Sequence, residues 1–544
     1  MSPTPESLRG RNPRKRIPAL RNSAGRAPLP LVVTAGLVVA LLLLPLAYLV
    51  IRVAGSGRAL EILGESSTWR LVWNTVLLAA GVVLASVLVA VPLAWLVTRT
   101  DLPARRLWAT AGALPLVIPS YVAAFCLLGF FGERGLLAEA LGVERLPEVR
   151  GYWGSLIALT LATYPYVFLL TQTALRSLDP SLDEAARGLG ISSRRTFLRV
   201  TAPALRPAVG LGALLVALYT FSDFGVVSLM DYDTLTRSIY VQYRSLFDRA
   251  PAATLALLLV ALTAVVLVLE YRARQRGRLY RTGPGTQRPQ PVVALGRWTG
   301  PALGFCTVVV GLFLVLPAGV LGYWLARGIV NEREFTMPWG ETLNSLGASG
   351  LAGAVAVLAA LPIAVLALRH PSPSSRLLER LSYAGNALPG LVIALSLVFF
   401  AARYASPVYQ TLALLVFAYV VRFFPQALAG VESALERVSP RYEEAARSLG
   451  RGPLQTFARV TVPLVRSGVL AGAALVFLSA MKELPATLLL RPIGFETLAT
   501  EIWKLTQVGA YSQAAVPALV LIVASAPILY LISSAHRFES GQAG

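Results

Sequence analysis

The sequence predicts an all-α polytopic membrane protein, with about twelve transmembrane helices in two parallel-duplicated six-helix halves. Three observations carry that reading. The 544 residues are 56% hydrophobic and 14% charged, with a mean hydropathy of +0.64, far more apolar than a soluble chain of this size. Twelve apolar stretches are each long enough to cross a hydrocarbon core, which requires roughly 20 helical residues. Residues 184–203 and 444–463 repeat one another 260 positions apart, with 12 of 20 residues identical.

Taken in order, residues 1–28 form a basic tail carrying Arg9, Arg11, Arg14, Lys15, Arg16, Arg21 and Arg26. No aromatic-interleaved groove accompanies these charges, so the tail reads as a topological anchor and no nucleic-acid partner is expected. The first span, 29–53, lacks a persuasive cleavage site and reads as a retained anchor in membrane lipid. Spans at 71–98, 108–131, 153–177, 205–230 and 252–271 complete a first six-helix domain, 29–271. A linker follows at 272–300, with seven arginines, no acids and a Gly/Pro/Gln-rich centre. The second domain, 301–533, holds spans at 301–326, 343–368, 384–403, 409–430, 466–490 and 513–533, and residues 534–544 form a C-terminal tail.

The formal charge of +21 is distributed unevenly. Loops on the side of the N-terminus hold 30 Lys and Arg, the opposite loops 12, so the positive-inside rule places both termini, the linker and both repeated patches in the cytoplasm of a multi-pass inner-membrane protein. An even number of spans per half relates the halves by an axis along the membrane normal, leaving a central pathway between them. Similarity extends beyond the repeat: Asn74-Thr75 with Pro92 matches Asn344-Ser345 with Pro362, and Tyr164-Pro165 matches Phe424-Pro425.

Each repeated patch begins as a short helix. Proline near its first turn, acids at the positive dipole end and alanines are followed by a stopping glycine, Gly190 or Gly450. A bend and a second helix along the membrane surface are then expected before Pro203 and Pro463. Small alanines permit close approach to another protein, and flanking arginines offer carboxylate contacts, so the patch reads as a docking knob.

Glu-Ala-Ala, Gly and Pro at these intervals resemble the cytoplasmic loop of permease subunits in binding-protein-dependent ABC importers, here as two fused domains. Both copies depart one residue before the proline, where the family favours leucine and this chain has Ala202 and Val462. The resemblance implies that Glu184, Ala185, Ala186, Gly190, Glu444, Ala445, Ala446 and Gly450 couple the chain to two ATP-binding subunits. It also implies an extracytoplasmic solute-binding protein and one copy of the fused chain per transporter. A Walker A loop needs Gly-Lys before Ser or Thr, yet Lys15, Lys482 and Lys504 are the only lysines and none follows glycine. ATP is thus expected to be hydrolysed by a partner. The chain itself is expected to be neither an enzyme nor the holder of a cofactor.

The 260 offset also sets Asp223 against Glu483, late in the fifth span of each half. A carboxylate deep in the bilayer costs about 2.5–3.5 kcal/mol on insertion scales, so both are expected at the bundle interior, with Phe224 and Lys482 lining a translocation pathway. From the residues alone, the acids either contact cargo or tie helix ends to backbone. Asp233-Thr234-Leu235 and Glu496-Thr497-Leu498 open amphipathic helices expected to seat the binding protein.

His370 and His536 sit at span edges, while Cys126 and Cys306 lie within helices, so neither a metal cluster nor a catalytic base is expected. Any hard cation would meet carboxylates or tyrosine oxygens. Lys482 through Pro492, with Asp223-Phe224-Gly225, resembles ferric-iron importer permeases of the fused type. Thiamine, sulfate, polyamine and phosphonate importers share the plan, and an ion-coupled secondary transporter using Asp223 and Glu483 as proton carriers remains the alternative mechanism.

Overall fold

The computed structural model describes residues 27–132, 135–143, 149–178, 188–190, 192–245, 250–277, 292–330 and 337–525. Helices dominate because long apolar runs must satisfy every backbone group internally in lipid. The first half comprises α1 (Leu29–Ser56), α2 (Ser66–Arg99), α3 (Arg105–Ala113), α4 (Ser120–Phe131) and α5 (Gly151–Ser177). It continues with α6 (Ala202–Ser222), the short α7 (Gly225–Leu229), α8 (Leu235–Ser245) and α9 (Ala250–Gly277).

In the second half α10 (Thr299–Val310) and α11 (Leu316–Val330) form one span through a π-turn, followed by α12 (Trp339–Arg369), α13 (Pro373–Ser382) and α14 (Gly390–Tyr404). Then come α15 (Leu412–Glu436), α16 (Pro440–Ser448), α17 (Val462–Met481), α18 (Pro485–Leu490), α19 (Leu498–Gln507) and an apolar helix α20 (Tyr511–Ser525). Among the described residues ten helices are long and apolar enough to cross a membrane, and the bent pair containing α13 and α14 adds an eleventh.

The expected third spans are not continuous helices. Residues 108–131 break between α3 and α4, and the second-half pair bends by 101°. Pro119 and Pro389 stand at the breaks, each with extended backbone immediately before the next helix. Proline has no N–H for the helical ladder and disfavours α geometry in the preceding residue, so the span stops and restarts in a new direction.

Within each half the second span packs on the fourth and fifth, α2 on α5 and α6, and α12 on α15 and α17. Small residues permit this closeness: a Cβ on Gly212 would lie 2.8 Å from Val167 Cα, and one on its counterpart Gly472 3.4 Å from Gly430 Cα. The first spans are exchanged, with α1 packing on α14 and α11 on α4. Matching polar contacts fix this exchange: Ser396 Oγ donates to Pro45 O at 2.6 Å, and Cys126 Sγ contacts Pro317 O at 3.7 Å. Both carbonyls belong to prolines inside helices.

Candidate functional site

Along the seam between the halves, two matched turns carry the intramembrane acids. Helix α6 stops at Ser222 and the chain restarts as α7. Between them, the Asp223 carboxylate accepts from Val226 N at 2.9 Å and from the Ser120 hydroxyl, at the head of α4, at 2.5 Å. Glu483, after α17, likewise accepts from Ala486 N at 3.2 Å and caps α18. Its second oxygen lies 3.0 Å from Arg422 Nε, a charge contact without an aligned N–H. Gly390 occupies the position of Ser120, and a Cβ there would come within 2.4 Å of Glu483 Oε1. The acids are 8% and 5% exposed, and every carboxylate oxygen is engaged.

Lys482 does not face Glu483. Its Nζ donates across the seam to Leu116 O at 3.2 Å, in the turn ahead of Pro119. Phe224 is buried in an aromatic cluster, with ring centroids 4.6 Å from Tyr240 and 5.2 Å from Trp503, so it joins α7 and α8 to α19. The Tyr121 hydroxyl, next along α4, is buried without a hydrogen-bond partner and lies in the electrostatic range of Tyr219, Tyr419 and Glu483.

At one end of the bundle sits the repeated loop. Ser439 caps α16, its hydroxyl accepting from Arg441 N at 3.4 Å, with Pro440 in the first turn. Gly450 has φ +82° and Gly190 φ +75°, left-handed values that glycine adopts without a Cβ penalty. Glu444 and Ala445 are exposed, whereas Ala446 is buried at 7%, so one alanine faces outward and the other packs inward. Glu184, Ala185 and Ala186 lie outside the described residues.

Glu443, the neighbour of Glu444, anchors the loop. It receives Arg369 Nε at 3.1 Å and the Thr461 hydroxyl at 3.2 Å, while Arg369 also donates to Val438 O at 2.9 Å. A second helix does follow the bend after Gly450, at Pro453–Thr456, but it is a single turn and runs through a π-turn, Phe457–Thr461, directly into α17; Ser193–Thr196 and Phe197–Thr201 do the same before α6. Pro463 and Pro203 lack the N–H that would close the next α bond, which lets the turn widen.

At the opposite end the early asparagines find their roles. Asn74 Nδ2 donates to Asp233 O at 2.9 Å, and Thr75 Oγ1 accepts from Leu235 N at 3.0 Å. Asn344 and Ser345 repeat both bonds, to Glu496 O and from Leu498 N, each at 2.9 Å. The second span of each half thereby holds its amphipathic helix, α8 or α19. Asp231 pairs with Arg150 at 2.5 Å and with Arg237 at 3.1 Å, and Arg491 pairs with Glu496.

Sequence reasoning missed Arg422 and the Arg369–Glu443 pair. A lone arginine inside the apolar run 409–430 was a signal for the first. For the second, Arg99 and Arg369 end the second span of each half at the 270 offset, and Arg99 is only 4% exposed.

Two interlocked helical halves, a closed polar seam between them and matched loop helices at one end define a duplicated solute permease. Residues 90–278 and 352–538 each match the binding-protein-dependent transport system inner membrane component, and the chain belongs to this family. It is similar to the Fe(3+)-transport system permease protein FbpB 2 of Haemophilus influenzae, 33% identical over 90% of this chain and 95% of that one. The ferric transport system permease protein FbpB of Actinobacillus pleuropneumoniae is 24% identical over 87% of this chain and 72% of its own length. The sulfate transport system permease protein CysW of Escherichia coli is 28% identical, over 43% of this chain and 84% of its own. The chain is an integral, multi-pass inner-membrane permease of an ABC transporter and not a catalytic enzyme.

Proposed function

We propose that the chain is the permease of a ferric-iron importer, receiving iron from an extracytoplasmic binding protein. Likeness to a relative named for Fe(3+) transport across nearly the whole of both chains carries this reading, because the sulfate relative covers less than half of this one. Both termini, the 272–300 linker and the repeated loops face the cytoplasm. Two ATP-binding subunits, each hydrolysing ATP, dock on α16 and on its counterpart around Glu184, Ala185, Ala186 and Gly190. The domains at 29–271 and 301–533 act as the moving halves, one fused chain per transporter, and the seam at Asp223 and Glu483 is the translocation pathway.

In this reading Glu444 and Ala445 meet the partner, while Glu443 passes its movement to α12 through Arg369 and to α17 through Thr461. The binding protein seats on the end bearing α8 and α19. Proton carriage by Asp223 and Glu483 is disfavoured, since fixed caps and Arg422 engage their oxygens.

The test is radiolabelled ferric uptake by cells producing the chain with its ATP-binding and binding-protein partners, with and without an inactivated ATPase. Uptake that vanishes with ATPase activity supports importer and cargo together; uptake that persists favours ion coupling. Absent ferric uptake, with partner association intact, overturns the cargo and keeps the permease.

A further inference from the structure

Where α2 ends, the linker returns to meet it. Val293 N donates to Arg99 O at 2.8 Å and Asp101 N to Val293 O at 3.3 Å, while Leu295 N donates to Asp101 Oδ1 at 2.8 Å. Beside this clasp lies a cleft of about 490 Å³, lined by Asp101, Leu102, Ala104, Arg105, Arg106 and Val292. Among the described residues neither guanidinium bonds another group, and only one Asp101 carboxylate oxygen is engaged.

Topology does not require this pair of arginines. At the 270 offset the second half has Pro371, Ser375 and Arg376 in place of Asp101, Arg105 and Arg106. There Ser375 shares a capping box with Ser372, and Arg376 Nε donates to Ser372 O at 3.4 Å. The second loop thus meets the same orientation without two neighbouring, unbonded guanidinium groups.

The cleft stands at headgroup depth. From Trp73, exposed near the far end of α2, to Arg99 at its close the helix rises about 39 Å. A bilayer with its headgroup layers is about 40–45 Å thick, so the loop after Arg99 lies among the headgroups. Exposed Leu107 on α3 and exposed Trp298, just ahead of α10, flank this level, and α3 packs on α10. Tryptophan favours that interface because its ring is apolar and its N–H is not.

We propose that this cleft binds the headgroup of an anionic phospholipid of the phosphatidylglycerol kind, from the leaflet on the side of the repeated loops. Arg105 and Arg106 offer planar donor forks, the geometry that pairs with two oxygens of a phosphodiester. The open Asp101 oxygen accepts from a headgroup hydroxyl and repels a second negative charge. A singly charged, hydroxylated headgroup therefore fits better than phosphatidic acid. Phosphatidylcholine carries the phosphate, but its own cation faces the arginines and it has no hydroxyl to donate. Leu107 and Trp298 favour a lipid over free phosphate, since apolar groups at this depth meet acyl chains. Bound there, the lipid joins α3 to the linker at Val292, and so the first half to the segment leading into the second.

The full chain, purified in mild detergent, is incubated with equal amounts of dioleoyl phosphatidylglycerol and dioleoyl phosphatidylcholine. Lipid retained on the intact protein is read by native mass spectrometry. Wild type prefers phosphatidylglycerol by about 30-fold, two arginines at a membrane surface each contributing roughly fivefold. Arg105→Gln with Arg106→Gln removes the preference, whereas Arg376→Gln keeps it. Asp101→Asn, which still accepts from Leu295 N, lets dioleoyl phosphatidic acid compete where wild type excludes it. The double arginine variant keeps the wild-type thermal midpoint in lipid-free detergent, which separates lost binding from lost folding. Equal preference in wild type and the double variant overturns the site, as does phosphatidylcholine retained as well as phosphatidylglycerol. Displacement of the lipid by equal glycerophosphoglycerol, the headgroup without acyl chains, also overturns it, because the ligand is then a soluble phosphate.

Discussion

Removing Arg422 is the sharpest test of the seam. Its Nε lies 3.0 Å from a Glu483 carboxylate only 5% exposed. At an effective dielectric constant near 20, unit charges at that distance attract by about 5 kcal/mol, much of it offset by their desolvation. Arg422→Met leaves Glu483 charged and buried with a single backbone bond, so a loss of about 3–5 kcal/mol is expected. Glu483→Gln keeps an acceptor for Ala486 N but strands the guanidinium, with a comparable loss. The double variant, which removes both charges, loses only about 1–2 kcal/mol, close to what one unsatisfied amide costs. The cycle therefore closes with a coupling energy of several kcal/mol, read from SDS-titrated unfolding of the purified chain. Losses that add within about 0.5 kcal/mol would refute the pairing and show the two groups to be independent.

Three further outcomes follow from the ends of the bundle. Gly450→Ala meets no atom within 4 Å, so its cost is the left-handed backbone alone, about 1–2 kcal/mol; ferric uptake per ATP hydrolysed should fall while the spans stay inserted. Gly190→Ala, at φ +75°, should behave alike. Arg369→Ala strands Glu443 at 12% side-chain exposure, and amide exchange across 439–450 should accelerate by at least an order of magnitude, consistent with a loss of about 1.5–3 kcal/mol for charge-assisted bonds. Asn74→Ala and Asn344→Ala each delete one bond to the α8 or α19 turn, costing about 1 kcal/mol apiece. Differential scanning of the double variant should give the sum of the two shifts, since the sites share no partner.

Spans and duplication were legible because both are written in one-dimensional patterns: apolar runs of membrane length, and glycines and prolines recurring at fixed offsets. The breaks at Pro119 and Pro389 escaped, although both prolines were in plain view, because hydropathy records what a side chain prefers and not where the backbone runs out of donors. Site residues divided along the same line. Asp223 and Glu483 stood out as acids in apolar surroundings, but their engagement depends on Ser120 and Arg422, which are remote in sequence. The loop motif was legible as a motif, while the inward turn of Ala446 and the anchoring by Glu443 emerge only once Arg369 is placed beside α16. Asn74 and Asn344 were found by repetition alone, and their bonds to α8 and α19 explain why that dipeptide recurs.

The exchange of first spans sets a schedule for synthesis. Pro45 waits for Ser396, 351 residues away, before α1 reaches its packing partner α14. At about 5–20 residues per second, that interval is roughly 20–70 s, and until α12 emerges the earliest helix to enter the bilayer has only its own half to lean on. The first half thus leaves the ribosome as an open clasp. An insertion chaperone that shelters α1 would act in this window, and a ribosome stall between the halves would leave α1 without the second half it packs against.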